Sequence, residues 1–132
     1  AFRMGAESRE EFGEPFAPDA GFGALLGHSI YFYTKDVGRP VRYVAPSFAL
    51  KNIPGKIPRY RQFNAKEHGC NLWWIEWGGR LHTVYETEAI KWELWKIVYG
   101  VWDHIKNSGD FPEAETLTLE WVGMIPGKRE SR

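Results

Sequence analysis

His68 lies between Glu67 and Cys70, two residues from the thiol, and leads straight into the aromatic run from Trp73 to Trp77. An imidazole titrates near neutrality, so it can take up a proton and return it when a carboxylate orients the ring. Glu67 and Glu76 are the carboxylates at hand, and His68 is the candidate catalytic base. A zinc site on His68 and Cys70 would need two more ligands, which the neighbourhood does not supply, so no metal is expected. His28, His82 and His104 fall in a loop, a turn and a helix's last turn, where a structural role suffices.

A second cluster is basic. Lys128, Arg129 and Arg132 follow Pro126-Gly127 shortly after a strand pattern. Guanidinium forks suit carboxylates, phosphates or a developing oxyanion, and these three are candidate cofactor-binding groups. The competing reading is a solvated charge run. Arg9 joins them: it sits among Glu7, Glu10 and Glu11, and Gly13-Glu14-Pro15 stops that segment before its charges have much helix to stabilise. Substrate-binding candidates are aromatic or flanked by aromatics, namely Tyr33, Trp74 and Glu76. A carboxylate between Trp74 and Gly78 is costly if buried unpaired, so Glu76 needs a cation such as Arg80 or a wet pocket. Ser8 and Ser131 have no nearby histidine and no nucleophile elbow, which argues against serine hydrolysis.

The elements that must position these groups follow from periodicity. Residues 1–28 mix charges with Gly and Pro and read as a loop-rich lead-in with one helical turn near residues 7–11. Residues 29–34 and 41–44 are short strands that a hairpin would join. Residues 45–61, with Pro46, Pro54, Gly55 and Pro58, form an irregular crossing. The run 72–77 is the strongest strand pattern and is expected at the sheet centre. A helix is expected from Thr83, whose spacing to Glu86 fits a capping box, to Asn107, with Ser108-Gly109 as its stop. Ile90, Leu94, Ile97, Val101 and Ile105 form one stripe at helical spacing, and Trp92, Trp95, Tyr99 and Trp102 form another beside it. Residues 116–122 alternate as a half-buried strand with Leu117, Leu119 and Trp121 on its apolar face. The expected fold class is α+β, a mixed or antiparallel sheet with one long aromatic-rich helix packed on it.

Composition narrows the function classes. A length of 132 residues suits a single domain, 1–132. Seventeen basic residues balance seventeen acidic ones, so nothing points to nucleic acid or an anionic membrane as partner. One cysteine excludes an internal disulfide framework and fits a reducing compartment, while a lost signal peptide would allow export. Aromatic residues make up 16% of the chain, enough to build most of a core or a flat wall for a sugar ring or flavin. No Gly-x-Gly-x-x-Gly dinucleotide fingerprint occurs, and the ends read as those of a piece of something larger.

Four segments carry a family resemblance: GAESREEFGEP at 5–15, CNLWWIEWGG at 70–79, IKWELWK at 90–96 and PGKRESR at 126–132. Together they resemble the middle region of bacterial FAD-dependent oxidoreductases of the FAD_oxidored type, some of which carry a xanthan lyase label. The resemblance implies a Rossmann-like FAD domain on either side of this stretch, which would itself be the substrate-facing or cap portion. FAD is then expected in the full-length parent and not tightly on this chain alone. The leading expectation is the substrate-binding part of such an enzyme, with flavin-mediated hydride transfer, a small-molecule or carbohydrate substrate, and the rest of the flavoprotein as partner. The alternatives are a non-catalytic carbohydrate-binding module with a Trp-rich face and a polysaccharide lyase, for which no base and neutraliser set with Tyr is discernible.

Overall fold

A stripe of apolar side chains repeating every three or four residues must find a partner surface, and here it organises the molecule. In the computed structural model, which describes residues 5–69 and 71–128, the long helix spans Thr87–Asn107. Ile90, Leu94, Ile97, Val101 and Ile105 are all buried, as the periodicity predicts. Trp102 and Val98 join them, whereas Trp92 is about half exposed. The helix ends where expected, with the Ser108 amide donating to the His104 carbonyl and Gly109 at φ 87°. Its start differs. Thr83 begins a turn instead of the helix, and Glu86 caps the His82 amide at 2.6 Å through its carboxylate while the Thr87 hydroxyl donates to the Thr83 carbonyl.

Three helices and four strands are described: α1 (Arg9–Phe12), β1 (His28–Ser29), β2 (Phe32–Asp36), α2 (Ile53–Lys56), β3 (Glu76–Trp77), α3 (Thr87–Asn107) and β4 (Leu117–Val122), with single 3-10 turns at Pro58–Gln62 and Pro112–Ala114. The strands form two antiparallel two-stranded ribbons, β1 with β3 and β2 with β4, the second interrupted by an irregularity between Tyr33 and Thr34. Gly127 adds a bridge on Ser29. The fold is α+β, antiparallel ribbons with one long helix packed on them.

Three expectations about strands fail for physical reasons. Residues 41–44 form no strand, because β4 occupies the hydrogen-bonding edge of β2 and Val41 reaches only a single bond to the Glu115 carbonyl. The run 72–77 is a strand only at its last two residues. Leu72 takes φ 52° in a turn closed by the Ile75 amide on its carbonyl, and that turn buries Leu72 and Ile75 while Trp73 faces out. Trp121 does not share Leu117's burial; about half its surface is exposed. Of the Phe, Tyr and Trp rings, Phe32, Tyr60, Phe63 and Trp102 are the buried ones among the described residues.

Two devices lash the crossing segments to α3. The Lys106 ammonium donates to the carbonyls of Ala114, Glu115 and Leu117 at 2.7–2.9 Å, fastening the end of the helix to the start of β4. Gly100 lets the 45–52 segment lie directly on the helix, since a Cβ there would meet the Leu50 carbonyl oxygen at 2.3 Å. Gly100→Ala is therefore expected to improve helix propensity yet lower stability by about 1–3 kcal/mol through overpacking. A urea midpoint unchanged or raised in that variant would contradict the contact.

Candidate functional site

Thr34 sits at the inward side of β2, and two of its atoms hold the 68–69 segment. Its amide donates to the His68 carbonyl at 2.8 Å, and its hydroxyl lies 3.3 Å from His68 Nδ1. Nδ1 is thereby engaged, and Nε2 is the ring nitrogen left for a ligand. The imidazole opens onto a cavity of about 560 Å³ whose walls are Asp36, Asn64, Lys66, His68 and Glu113 over a floor of Phe63 and Leu117. Asp36 is held ionised to lower pH than an ordinary carboxyl, first by the Gly38 amide at 2.8 Å, then by the Thr116 hydroxyl, with a smaller contribution from His68. A histidine facing a persistent carboxylate across an open cavity can accept a proton and have the resulting charge stabilised.

Glu67 and Glu76, the carboxylates the sequence offers His68, are not the ones lining this cavity. Glu67 instead accepts from the Asn64 side chain and, through its carbonyl, from Asn71. Asp36 takes that place, and its distance in sequence from His68 hid it. Tyr33 is brought close: it bridges Gly69, and a Cβ on Gly69 would stand 2.6 Å from the Tyr33 ring. Trp74 and Glu76 line a separate groove of about 310 Å³ with Lys56, where the Arg59 guanidinium covers the Trp74 ring at 4.4 Å. Arg9 is elsewhere, paired with Asp19 at 3.2 Å and donating to the Ala17 carbonyl. Lys128 lies near His28. Arg129, Arg132 and Cys70 fall outside the described residues.

His28 is the group that the sequence undervalues. It is buried, with Nε2 2.7 Å from the Thr83 carbonyl oxygen, and its Nδ1 is enclosed without a partner, as are Ser29 Oγ and Thr83 Oγ1. The crossing there is tight: a Cβ on Gly27 would meet the Trp77 backbone at 2.5 Å. Glycines at 27, 78 and 79 were the available signal of a close backbone approach around that imidazole.

The family model described as FAD dependent oxidoreductase matches residues 1–132. No curated protein and no solved structure matches the chain. The described residues do not fit the pyrophosphate of a dinucleotide at their long helix. Phosphates favour a glycine turn and a helix N-terminus free of negative charge, whereas Glu86 stands at the N-cap of α3 and Glu88 in its first turn.

Burial holds the His28 imidazole below its ordinary value of 6.5, opposed by the Thr83 carbonyl and reinforced by Lys128. The unfolded chain therefore takes up this proton before the folded protein does. The stability linked to His28 is fully present above pH 6.5 and is lost as pH falls from there through the folded value. His28→Gln is expected to flatten the drop in denaturant midpoint between about pH 7.5 and pH 5. An identical pH dependence in the variant would show that the imidazole is not held neutral.

Proposed function

The chain belongs to the FAD-dependent oxidoreductase family, and from that premise we propose that it forms the substrate-binding part of such an enzyme, with His68 as the proton acceptor. The observation that carries this reading is the convergence of His68, held from behind by Thr34, and Asp36 on one open cavity. In flavoenzymes the flavin carries the redox chemistry and the protein supplies binding, orientation and electrostatics. The contribution of these residues is then specific. Thr34 fixes the ring, Nε2 takes a proton from a bound hydroxyl or acidic C–H, and the Asp36 carboxylate stabilises the imidazolium. Lys66 and Asn64 supply donors for substrate oxygens above the apolar floor.

Within the same reading, the groove of Trp74 and Glu76 is a second substrate wall, and Lys128, Arg129 and Arg132 are the basic contacts to cofactor or substrate oxygens. Arg9 would serve there only by giving up Asp19. The single domain 1–132 is read as part of a larger flavoprotein that supplies the dinucleotide fold.

Flavin reduction in the protein carrying this chain tests the assignment. His68→Gln is expected to lower the rate about 10²- to 10⁴-fold, the usual worth of a positioned base. Asp36→Asn should lower it less. Unchanged turnover in His68→Gln would overturn the role of the imidazole.

A further inference from the structure

Outside the His68 cavity, unspent positive charge gathers at the groove of about 310 Å³ that the end of α2 and the 3-10 turn after it form with Trp74, Ile75 and Glu76. Residues 51–66 hold five basic residues and no acidic one in a chain whose charges sum to zero. Among the described residues only Lys51 of the five forms an ion pair, with Asp103. Lys56 and Arg59 are exposed on the groove's lining, and Glu76, the carboxylate on that lining, forms an ion pair with neither. Arg59 is nevertheless held in place. Its guanidinium lies over the Trp74 ring, 4.4 Å from the centroid, and one terminal nitrogen donates to Gln62 at 3.3 Å. Stacking fixes the plane of the fork and leaves its remaining N–H groups to a ligand. The rest of the lining is apolar, with Ile75 and Ile97 buried and Ile57 half-buried.

We infer that this groove binds a small organic anion, a carboxylate or phosphate monoester carried on a single apolar ring, with Arg59 and Lys56 on the oxyanion and the ring on Ile57, Ile75 and Ile97. The inference rests on the reading of this groove as a second substrate wall and adds the chemical class of what it holds. Exposed cations are ordinarily solvated. Two features set this pair apart. A guanidinium with its plane already fixed loses little freedom when it takes two oxygens of an oxyanion side by side, and Lys56 adds a point charge to the same lining. The isoleucines beneath them reward an apolar body, which a bare inorganic anion lacks. The volume stands at the lower end of the roughly 300–1,000 Å³ of small-molecule sites, which suits one ring and not a chain of them. A neutral ligand of the same shape would leave both cations without a counter-charge.

The test titrates the protein carrying this chain with phenylacetate and phenyl phosphate, following calorimetric heat. Phenylacetamide serves as the neutral control, and acetate and inorganic phosphate as anions without a ring. At least one ring-bearing anion should bind, and the tighter of the two specifies carboxylate or phosphate. Each control should bind at least about tenfold more weakly, for want of the charge or of the buried ring. Arg59→Gln should weaken the anion about 10- to 100-fold, the usual worth of a hydrogen bond to a charged group. Lys56→Gln should weaken it about two- to fivefold, as for an exposed ion pair. Arg61→Gln, which removes a cation that lies over Tyr60 outside the groove, should leave it unchanged. Lys56 is exposed and unpaired, so its variant remains informative if Arg59→Gln unfolds. Binding of neither anion, equal binding of phenylacetamide or of the ringless anions, or wild-type affinity in both groove variants would overturn the inference. Anion binding with flavin reduction unchanged in Arg59→Gln would take the groove out of turnover and leave the ligand class standing. Flavin reduction lowered in Arg59→Gln without any anion binding would remove the ligand class and leave the substrate wall.

Discussion

Neither ribbon is self-sufficient, and the seam that α3 buries holds them both. An isolated two-stranded antiparallel pair is marginal in water, and β1 and β3 are only two residues long each. What stabilises them is the apolar stripe from Ile90 to Ile105, which packs with Ile30 and Phe32 from the strand region, Leu72 and Ile75 from the turn, and Phe63 and Leu117 beside the cavity. Fully burying one such side chain contributes about 1.5–3 kcal/mol. The His68 cavity therefore inherits its shape from a helix that supplies none of its polar groups.

The way polar side chains are spent around that seam explains why chemistry is confined to a few places. Lys106 is absorbed by three carbonyls, Lys51 by Asp103, and Lys91 and Lys96 by Glu88 and Glu93 on their own helix. Tyr60 and His104 both meet Asp110. These side chains fasten the structure and have little left for a ligand. Around His68 the charged groups instead line open space, and Asp36 stays charged because the Gly38 amide holds it.

How much of this was legible in the sequence depended on the length scale of each signal. The α3 stripe, its stop at Ser108-Gly109 and the strand near residue 119 came from periodicity over many residues, which tertiary context rarely overrides. The run 72–77 misled because its alternation also fits a turn that sends Leu72 and Ile75 the same way, and one positive φ at Leu72 decided the outcome. The hairpin after β2 failed since the partner strand is contributed from far along the chain. His68 and Tyr33 were visible as residues and became neighbours through Gly69. Asp36 was not, because nothing local couples it to His68. Arg9 is engaged by Asp19 and Lys128 lies near His28, and neither lines the His68 cavity, so shared charge was a poor guide to a shared site.

The pairing of Thr34 with Leu119 has a temporal meaning as well. Closing so long a loop is slow compared with forming a helix, because chain entropy is lost before the ribbon's contacts can compensate. On the ribosome, α3 emerges and can fold while β2 still lacks its mate. Thr34 cannot be fixed until β4 has cleared the exit tunnel, so the imidazole it holds acquires its setting only after residues 117–122 have emerged.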